Sequence, residues 1–570
     1  MFRSKRTASA GGFSVHTRAA YLDRLPKETF DLVVVGGGIT GAAIARDAVL
    51  RGLSVALLEK GDFAVGTSSR SSKMVHGGLR YLKGRHVRLV RESLHERGVL
   101  LRLAPHLVQP VPFLMPVYEG APDGRLKLRL GLTAYDMLAG SLRLSRHKAL
   151  SQKQILGDEP LLRREGLTGG FRFYDCLVND ARLTLATVRT AAKKGAVAVN
   201  YVEAVALERE GERVAGLRFR DRITGREGAV RARVVVNATG PWSDQLRAMG
   251  GQSPILRPTK GVHLVFPRSR LGLTTTTVIV HGDRVVFAIP CGDCAYVGTT
   301  DTDYTGDPGD VAVDADDVTY LVDAVNDQFE GAHVSPSDVV ASWAGVRPLV
   351  AEEGAPTASD VSRDYMIETG PEGLFSIAGG KLTTCRAMAE SLVDRVLEQE
   401  GKRFGWTVKP CRTRSLPLMG GDIDGFERYA EGAAAALTES WDIPPAVAYR
   451  MLRAYGTEHV RVLAYAPRDA QLLRPLAEGC PVLKAEALFA AEEEMTLTLE
   501  DFMLRRSELM LFDRGHGLDA SEETARLMGG VLGWDGRERR RQVELYKEAV
   551  ARMTAFGGGE KGETATAGGQ

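Results

Sequence analysis

The run Asp31-Leu-Val-Val-Val-Gly36-Gly37-Gly38-Ile39-Thr40-Gly41, with Glu59 closing the strand that follows, decides how this chain begins to fold. Leu32 to Val35 have the composition of a buried parallel strand, and Ile39 to Arg51 that of a helix. Gly36 and Gly38 allow the sharp turn and the close backbone approach that a pyrophosphate needs, while Gly41 lets helix and strand pack. Ile39 and Thr40 open the helix, whose N-terminal N–H groups and dipole favour an anion. The second strand, Leu53 to Leu58, delivers Glu59 about 20 residues later, where a carboxylate accepts from ribose hydroxyls and repels a 2′-phosphate. A glycine-rich turn by itself often joins strand to helix with no ligand. Here strand, helix, second strand and acid agree, so the unit is read as binding FAD or NAD rather than NADP.

Composition bounds what surrounds that unit. A chain of 570 residues suffices for two or three domains and a large core. Hydrophobic residues at 44% and charged residues at 26% are ordinary for a globular protein. With 74 basic against 72 acidic side chains the formal charge is +2, so no global field argues for nucleic acid as a partner. Six irregularly spaced cysteines fit a reducing compartment better than a disulfide framework. Cys291-Gly-Asp-Cys294 lacks a second pair or nearby histidines, so it reads as a turn between strands, and no metal site is expected. No apolar stretch reaches the roughly 18 residues of a membrane span. Residues 1–28 are basic without a hydrophobic segment and read as a flexible arm; residues 554–570 read as a disordered tail.

Along the chain, a polar loop from Gly66 to Tyr81 precedes a basic amphipathic helix from Arg85 to Leu103. Pro105, Pro110, Pro112 and Pro116 mark an exit from helix. Arg182 to Lys194 reads as helix, and Ala196 to Val202 as strand. A small meander then runs into Asn237-Ala-Thr-Gly-Pro-Trp242. Strand signals dominate from Val262 to Thr299, with turns at Gly282-Asp283 and Gly292-Asp293. A helix near Asp316 to Phe329, a strand near Val339 to Ala344 and a helix from Thr383 to Glu398 follow; beyond Pro417 the chain turns helical. This layout predicts an α/β fold with three parts. A Rossmann-type dinucleotide domain is built from discontinuous segments (about 29–110, 180–260 and 345–408). An inserted β-sheet substrate domain takes about 111–179 and 261–344, and a C-terminal α-helical domain takes 409–553.

Eight motifs lie in an order that resembles one family. They are Gly36-Gly-Gly-Ile-Thr-Gly41, Thr67-Ser-Ser-Arg-Ser-Ser-Lys-Met-Val-His-Gly-Gly-Leu-Arg-Tyr-Leu82, Asn237-Ala-Thr-Gly-Pro-Trp242, Lys260-Gly-Val-His263, Val297-Gly-Thr-Thr-Asp301, Gly345-Val-Arg-Pro348, Ser362-Arg-Asp-Tyr365 and Gly379-Gly-Lys-Leu-Thr-Thr384. Together they resemble the FAD-dependent glycerol-3-phosphate dehydrogenases of the D-amino-acid-oxidase-like flavoprotein superfamily. The resemblance is dense from Asp31 to Glu398, and Phe502-Met-Leu-Arg-Arg506 extends it into the C-terminal domain. The thirty-residue arm is longer than the shortest members carry, and the Cys291 to Cys294 turn matches none of these motifs.

The resemblance implies FAD, and with it a set of cofactor-binding residues. These are Gly36, Gly38, Ile39, Thr40, Gly41, Glu59 and Lys60 in the first unit, and Thr67, Ser68, Ser71, Ser72, Lys73, His76 and Gly78 in the polar loop. Ala238 and Gly240, then Gly380, Leu382 and Thr383, complete the set. The helix entered at Thr383 would aim its dipole at the flavin's O2 and N1. A phosphorylated alcohol needs a cationic clamp, implied at Arg80, Arg347, Arg363 and Lys381, with Tyr81 adding a phenolic hydrogen bond. His76 and His263 are the candidate bases, and Arg347 and Lys381 also favour the alkoxide. The family oxidises sn-glycerol 3-phosphate to dihydroxyacetone phosphate and passes electrons to membrane quinone. That implies a homodimer docked peripherally on the inner face of the cytoplasmic membrane. Arg125 to Lys148 mixes Leu, Tyr and Met with Arg and Lys and has almost no acid, which suits anionic headgroups. The rivals are a glycerol-3-phosphate oxidase using oxygen, an amino-acid oxidase, and a non-catalytic flavin-binding scaffold.

Overall fold

The computed structural model describes residues 12–84, 86–282, 284–352 and 363–556. Five parallel strands form the heart of one sheet, in the order Leu374–Gly379, Glu227–Asn237, Thr29–Val35, Val55–Leu58, Val197–Val199. Val34 pairs with Val236 on one side and Leu57 on the other, so strands distant in sequence meet in one register. Parallel strands buried on both faces read as continuous apolar runs, and Leu32, Val33 and Val34 are fully buried. The helices Ile39–Arg51, Asp180–Lys193 and Cys385–Phe404 share that core. The expected α/β fold with a discontinuous dinucleotide domain is therefore what forms.

A second, mixed sheet of ten strands stands beside it. Leu167–Val178, Val108–Tyr118, Thr276–His281, Arg284–Cys291, Cys294–Gly298 and Leu256–Pro267 run side by side, and Ala341–Val350 pairs along Leu256–Pro267. Cys291 to Cys294 is the hairpin turn between two of these strands, with both thiols free. The strand Val108–Tyr118 was not legible in the sequence, where its prolines argue against a strand. Pro110, Pro112 and Pro116 share one parity, so their missing N–H groups all fall on one edge, and the strand pairs with Leu167–Val178 in one register from Val108 to Val117.

The C-terminal helices Phe426–Trp441, Pro445–Tyr455, Lys484–Glu494, Leu518–Leu532 and Gly536–Thr554 have their own core around Phe489, Phe502 and Tyr546. Buried ion pairs fasten this unit to the dinucleotide domain: Arg182 with Glu494 at 2.8 Å, and Asp62 with both Arg505 and Arg506 at 2.7 Å.

The flexible arm expected over residues 1–28 is corrected where the chain is described. Val15–Arg24 is a helix, capped reciprocally by Ser14 and Thr17. Its buried Arg18 donates to Asn200 O at 2.8 Å and to Asp221 at 2.6 Å. At the other end, the last helix runs to Thr554 and Phe556 packs on the second sheet's core. Residues 1–11 and 557–570 lie outside the described residues, as do Arg85, Asp283 and Ser362 of the segments read from sequence.

Candidate active site

The glycine turn is built as a dinucleotide cradle. Gly36 takes φ +108°, and a Cβ there would lie 2.4 Å from Ala238 O; one on Gly41 would lie 1.9 Å from Gly36 O. Gly38, the residue before the helix that starts at Ile39, has no side chain to cap it, and the first N–H is taken by the polar loop. Ser68 Oγ accepts from Ile39 N at 2.9 Å, which brings the polar loop over the helix end. Glu59 is buried, and burial pushes its carboxyl up; it accepts from Gly37 N at 2.7 Å and Gly61 N at 2.9 Å. Lys60 lies 3.9 Å over the Trp242 ring, whose buried Nε1 has no partner. Gly240 has open space where a Cβ would stand. A glycine turn too tight for any Cβ, an orphaned indole N–H and open space beside the turn all fit a dinucleotide.

In the polar loop most hydroxyls are spoken for. Thr67 Oγ1 donates to Val346 O at 2.6 Å, Ser71 Oγ to Asp180 at 2.7 Å, and Ser72 Oγ stands 2.8 Å from His263 Nε2. Lys73 spends its charge on Asp180 and Glu508, each at 2.8 Å, a role the sequence does not reveal. Burial opposes its charge, but the two carboxylates outweigh burial and raise its pKa.

Beyond the loop, Gly78, Arg80, Tyr81 and Lys381 meet. Lys381 Nζ lies 4.0 Å over the Tyr81 ring and 3.3 Å from Ser93 Oγ, and the Arg80 guanidinium lies 5.0 Å over the same ring. Burial, then the Arg80 charge, lowers Lys381 to about 7. Thr383 Oγ1 accepts from His76 N at 3.2 Å and ties this cluster to the turn after Gly379 and Gly380. His76 is lowered to about 3 by burial, then by Lys381, Arg80 and Arg97, so it is neutral at physiological pH.

Arg347 and Arg363 converge on an acid with no role assigned from sequence, although it closes one of the quoted motifs. Asp301 Oδ1 accepts from Arg347 at 3.0 Å and Oδ2 from Arg363 at 2.7 Å. Burial works against the carboxylate, but the two guanidiniums hold it below the usual range. Arg347 also donates to Lys260 O, Thr299 Oγ1 and Thr300 O, so both its terminal nitrogens are in use. By contrast Arg363 Nη1 is buried with no hydrogen-bond partner. Burial lowers Arg347 to about 10.

His263 is buried with its ring stacked on Trp343, centroids 4.7 Å apart at 12°. Burial, then Arg347 and Lys73, pushes it well below the ordinary imidazole value, and its Nδ1 has no partner. A further link also escapes the sequence. Tyr135 OH accepts from Gly77 N at 2.8 Å and donates to Asp175 at 2.7 Å, and Asp175 holds Arg97 at 2.5 Å. The turn beside His76 is thereby fixed to the inner side of the helix Arg125–Ala139. Cations with donors to spare and a neutral imidazole can together bind an anionic alcohol and receive its hydroxyl proton.

Comparison with known proteins gives the chain its relatives. Residues 31–395 match the family described as FAD dependent oxidoreductase, and residues 411–539 match the C-terminal domain of alpha-glycerophosphate oxidase. The chain is 38% identical over 538 residues to the aerobic glycerol-3-phosphate dehydrogenase of Staphylococcus aureus (strain USA300), covering 92% of this chain and 94% of that one. Among solved structures it superposes on the glycerol-3-phosphate dehydrogenase from Bacillus halodurans complexed with FAD. That match has a TM-score of 0.79 and 31% identity, over 95% of this chain and 98% of the other. The fold is also shared with the L-alpha-glycerophosphate oxidase from Mycoplasma pneumoniae, at TM-score 0.54 and 18% identity over 69% of this chain and 99% of that one.

Proposed function

The chain belongs to the family of FAD-dependent oxidoreductases that carry the alpha-glycerophosphate oxidase C-terminal domain, and on that premise we propose that it oxidises sn-glycerol 3-phosphate to dihydroxyacetone phosphate. FAD is the cofactor; when bound it supplies at N5 a two-electron acceptor for the hydride that leaves C2 of the alcohol. Gly36, Gly38, Ile39, Thr40 and Gly41 take the pyrophosphate and Glu59 the ribose. Gly380, Leu382 and Thr383 would face the flavin end.

The observation that carries the substrate assignment is a set of cations that keep donors to spare. Arg80 and Lys381, both over the Tyr81 ring, would take the phosphate together with Nη1 of Arg363, whose charge also acts on Lys381. Arg347 is already bonded through both terminal nitrogens, so it acts by its charge and by holding Asp301. Arrival of a phosphate dianion cancels the repulsion that helps keep His76 near 3 and Lys381 near 7, so both gain proton affinity as substrate binds. His76 takes the hydroxyl proton while the hydride leaves the carbon, and the alcohol becomes the ketone. His263 is the weaker candidate for the base, because its Nε2 is engaged with Ser72.

Electrons then pass to a membrane quinone. Among the described residues no helix is long and apolar enough to cross a membrane. The helix Arg125–Ala139 instead exposes Leu126 at 73%, Leu130 at 63% and Met137 at 70%, beside Arg125, Lys127 and Arg129. An apolar stripe with basic flanks suits the headgroup region of the inner membrane face. The C-terminal domain's description favours oxygen as the alternative acceptor. The decisive experiment is anaerobic mixing of the FAD-loaded protein with glycerol 3-phosphate: the yellow colour bleaches, and persistence of the oxidised spectrum refutes the proposal. Reoxidation by a quinone analogue that outpaces air identifies the acceptor; faster reoxidation by air assigns an oxidase.

A further inference from the structure

We infer that Glu508, carried by the C-terminal helical domain, is a positioning residue for the Ser71–Lys73 segment and, through it, for the His263 imidazole. Two ends of one carboxylate do the work. Glu508 Oε1 accepts from Lys73 Nζ at 2.8 Å, across 435 residues of chain, and Oε2 accepts from Asn179 Nδ2 at 2.6 Å. Lys73 Nζ also meets Asp180 Oδ1 at 2.8 Å, and Asp180 Oδ2 accepts from Ser71 Oγ at 2.7 Å and Ser71 N at 3.2 Å. Ser72 is thus pinned on both sides, and its Oγ lies 2.8 Å from His263 Nε2. Trp343 refers to the same segment, since its Nε1 donates to Ser71 O at 3.2 Å while its ring stacks on His263.

Backbone conformation points the same way. Lys73 has φ +52° and Glu508 φ +58°, so two non-glycine residues in the left-handed region face each other with their side chains paired. Such conformations persist where the surroundings over-determine them, and they concentrate at functional sites. The C-terminal unit also touches this wall directly: Phe512 packs edge-on against Trp343 at 6.2 Å. A plain cross-domain pin needs none of this convergence on one imidazole; the Asp62 pairs with Arg505 and Arg506 already fasten the domains.

The catalytic part of the inference rests on the proposed function, whereas the positional part does not, and the test separates them. Glu508→Gln in the FAD-loaded protein keeps the shape and removes the charge. Hydrogen–deuterium exchange read by mass spectrometry is expected to rise several-fold in the peptide covering residues 69–76. The helix Lys484–Glu494, in the same domain, is expected to keep its protection. With glycerol 3-phosphate, kcat is expected to fall by up to about tenfold to the extent that His263, the second candidate base, shares the hydroxyl proton with His76, and KM to move less than about threefold. Adding Ser72→Ala to Glu508→Gln is expected to cost no more than the larger single effect, because both act through one contact. If the Gln protein does not fold, Glu508→Asp, which keeps the charge on a shorter arm, carries the same comparisons. Unchanged exchange in 69–76, or losses that simply multiply, would overturn the inference even if thermal stability fell. A wild-type protein that ignores glycerol 3-phosphate would defeat the proposed function and leave the exchange comparison valid.

Discussion

Removing the charge of Asp301 is the sharpest perturbation the site allows. The carboxylate is nearly buried and takes one guanidinium on each oxygen, Arg347 at 3.0 Å and Arg363 at 2.7 Å. At an effective dielectric constant near 20, each such pair is worth about 4 kcal/mol before desolvation. Stripping the counter-ion from buried cations costs about 3–5 kcal/mol net. Asp301→Asn keeps one acceptor and loses the charge, so a stability loss at or just below that range is expected, read by thermal denaturation of the FAD-loaded protein. The loss should also depend on pH. The carboxyl sits below its ordinary value in the folded state, so its contribution is complete above the ordinary carboxylate range and fades as pH falls through the lowered pKa. Wild type and variant should therefore converge in strong acid. In catalysis the two arginines lose their shared anchor and repel each other, and a displacement near 1 Å costs up to about 100-fold. The rate of anaerobic flavin reduction is the assay. Wild-type stability together with a wild-type reduction rate would refute the view that Asp301 organises the cation cluster.

Three further outcomes are expected. Burial and the Arg80 charge lower Lys381 to about 7 in the substrate-free protein, so its cationic form is expected to be lost as pH rises through that value; kcat/KM should fall above pH 7, and Lys381→Arg should carry that limb away. An alkaline limb that persists in the arginine variant would assign it elsewhere. Gly41→Ala drives a Cβ to within 1.9 Å of Gly36 O, an overpacking worth about 1–3 kcal/mol at the cradle; FAD should dissociate more readily on dialysis, and normal retention would count against the cradle. Replacing Leu126, Leu130 and Met137 together by Ser should release the protein from anionic liposomes in a flotation assay, because the exposed stripe is lost without touching the inward Leu132 and Tyr135. Continued flotation would point to another surface.

What could be read from the sequence followed from local chemistry. The glycine turn, the apolar strand before it and Glu59 behind it lie within thirty residues and carry their meaning in spacing alone. Cations and histidines were found because they sit among glycines, proline and aromatics in a recognisable order. Partners were not legible, because pairing is a property of the fold: Asp301 stands 46 residues from Arg347 and 62 from Arg363, and Glu508 reaches Lys73 across most of the chain. Arg347 shows the same gap from the other side. Its type and setting imply a free phosphate ligand, yet the folded chain occupies both its terminal nitrogens. The helix Val15–Arg24 is not legible in the sequence because its anchor, Asp221, lies 203 residues from Arg18. Val108–Tyr118 is not legible because proline parity matters only once a neighbouring strand takes the other edge.

The order of strands in the parallel sheet also bears on how the protein is made. Thr29 pairs with Arg231, so at about 5–20 residues per second the first strand waits roughly 10–40 s on the ribosome for that neighbour, and longer for the sheet to extend to Leu374. Throughout that interval an aliphatic segment meant for the deepest part of the protein is without its inner companion. Newly made chains are therefore most vulnerable to aggregation before translation reaches the residues around 379, and slowing synthesis upstream of that point should lower soluble yield more than slowing it downstream.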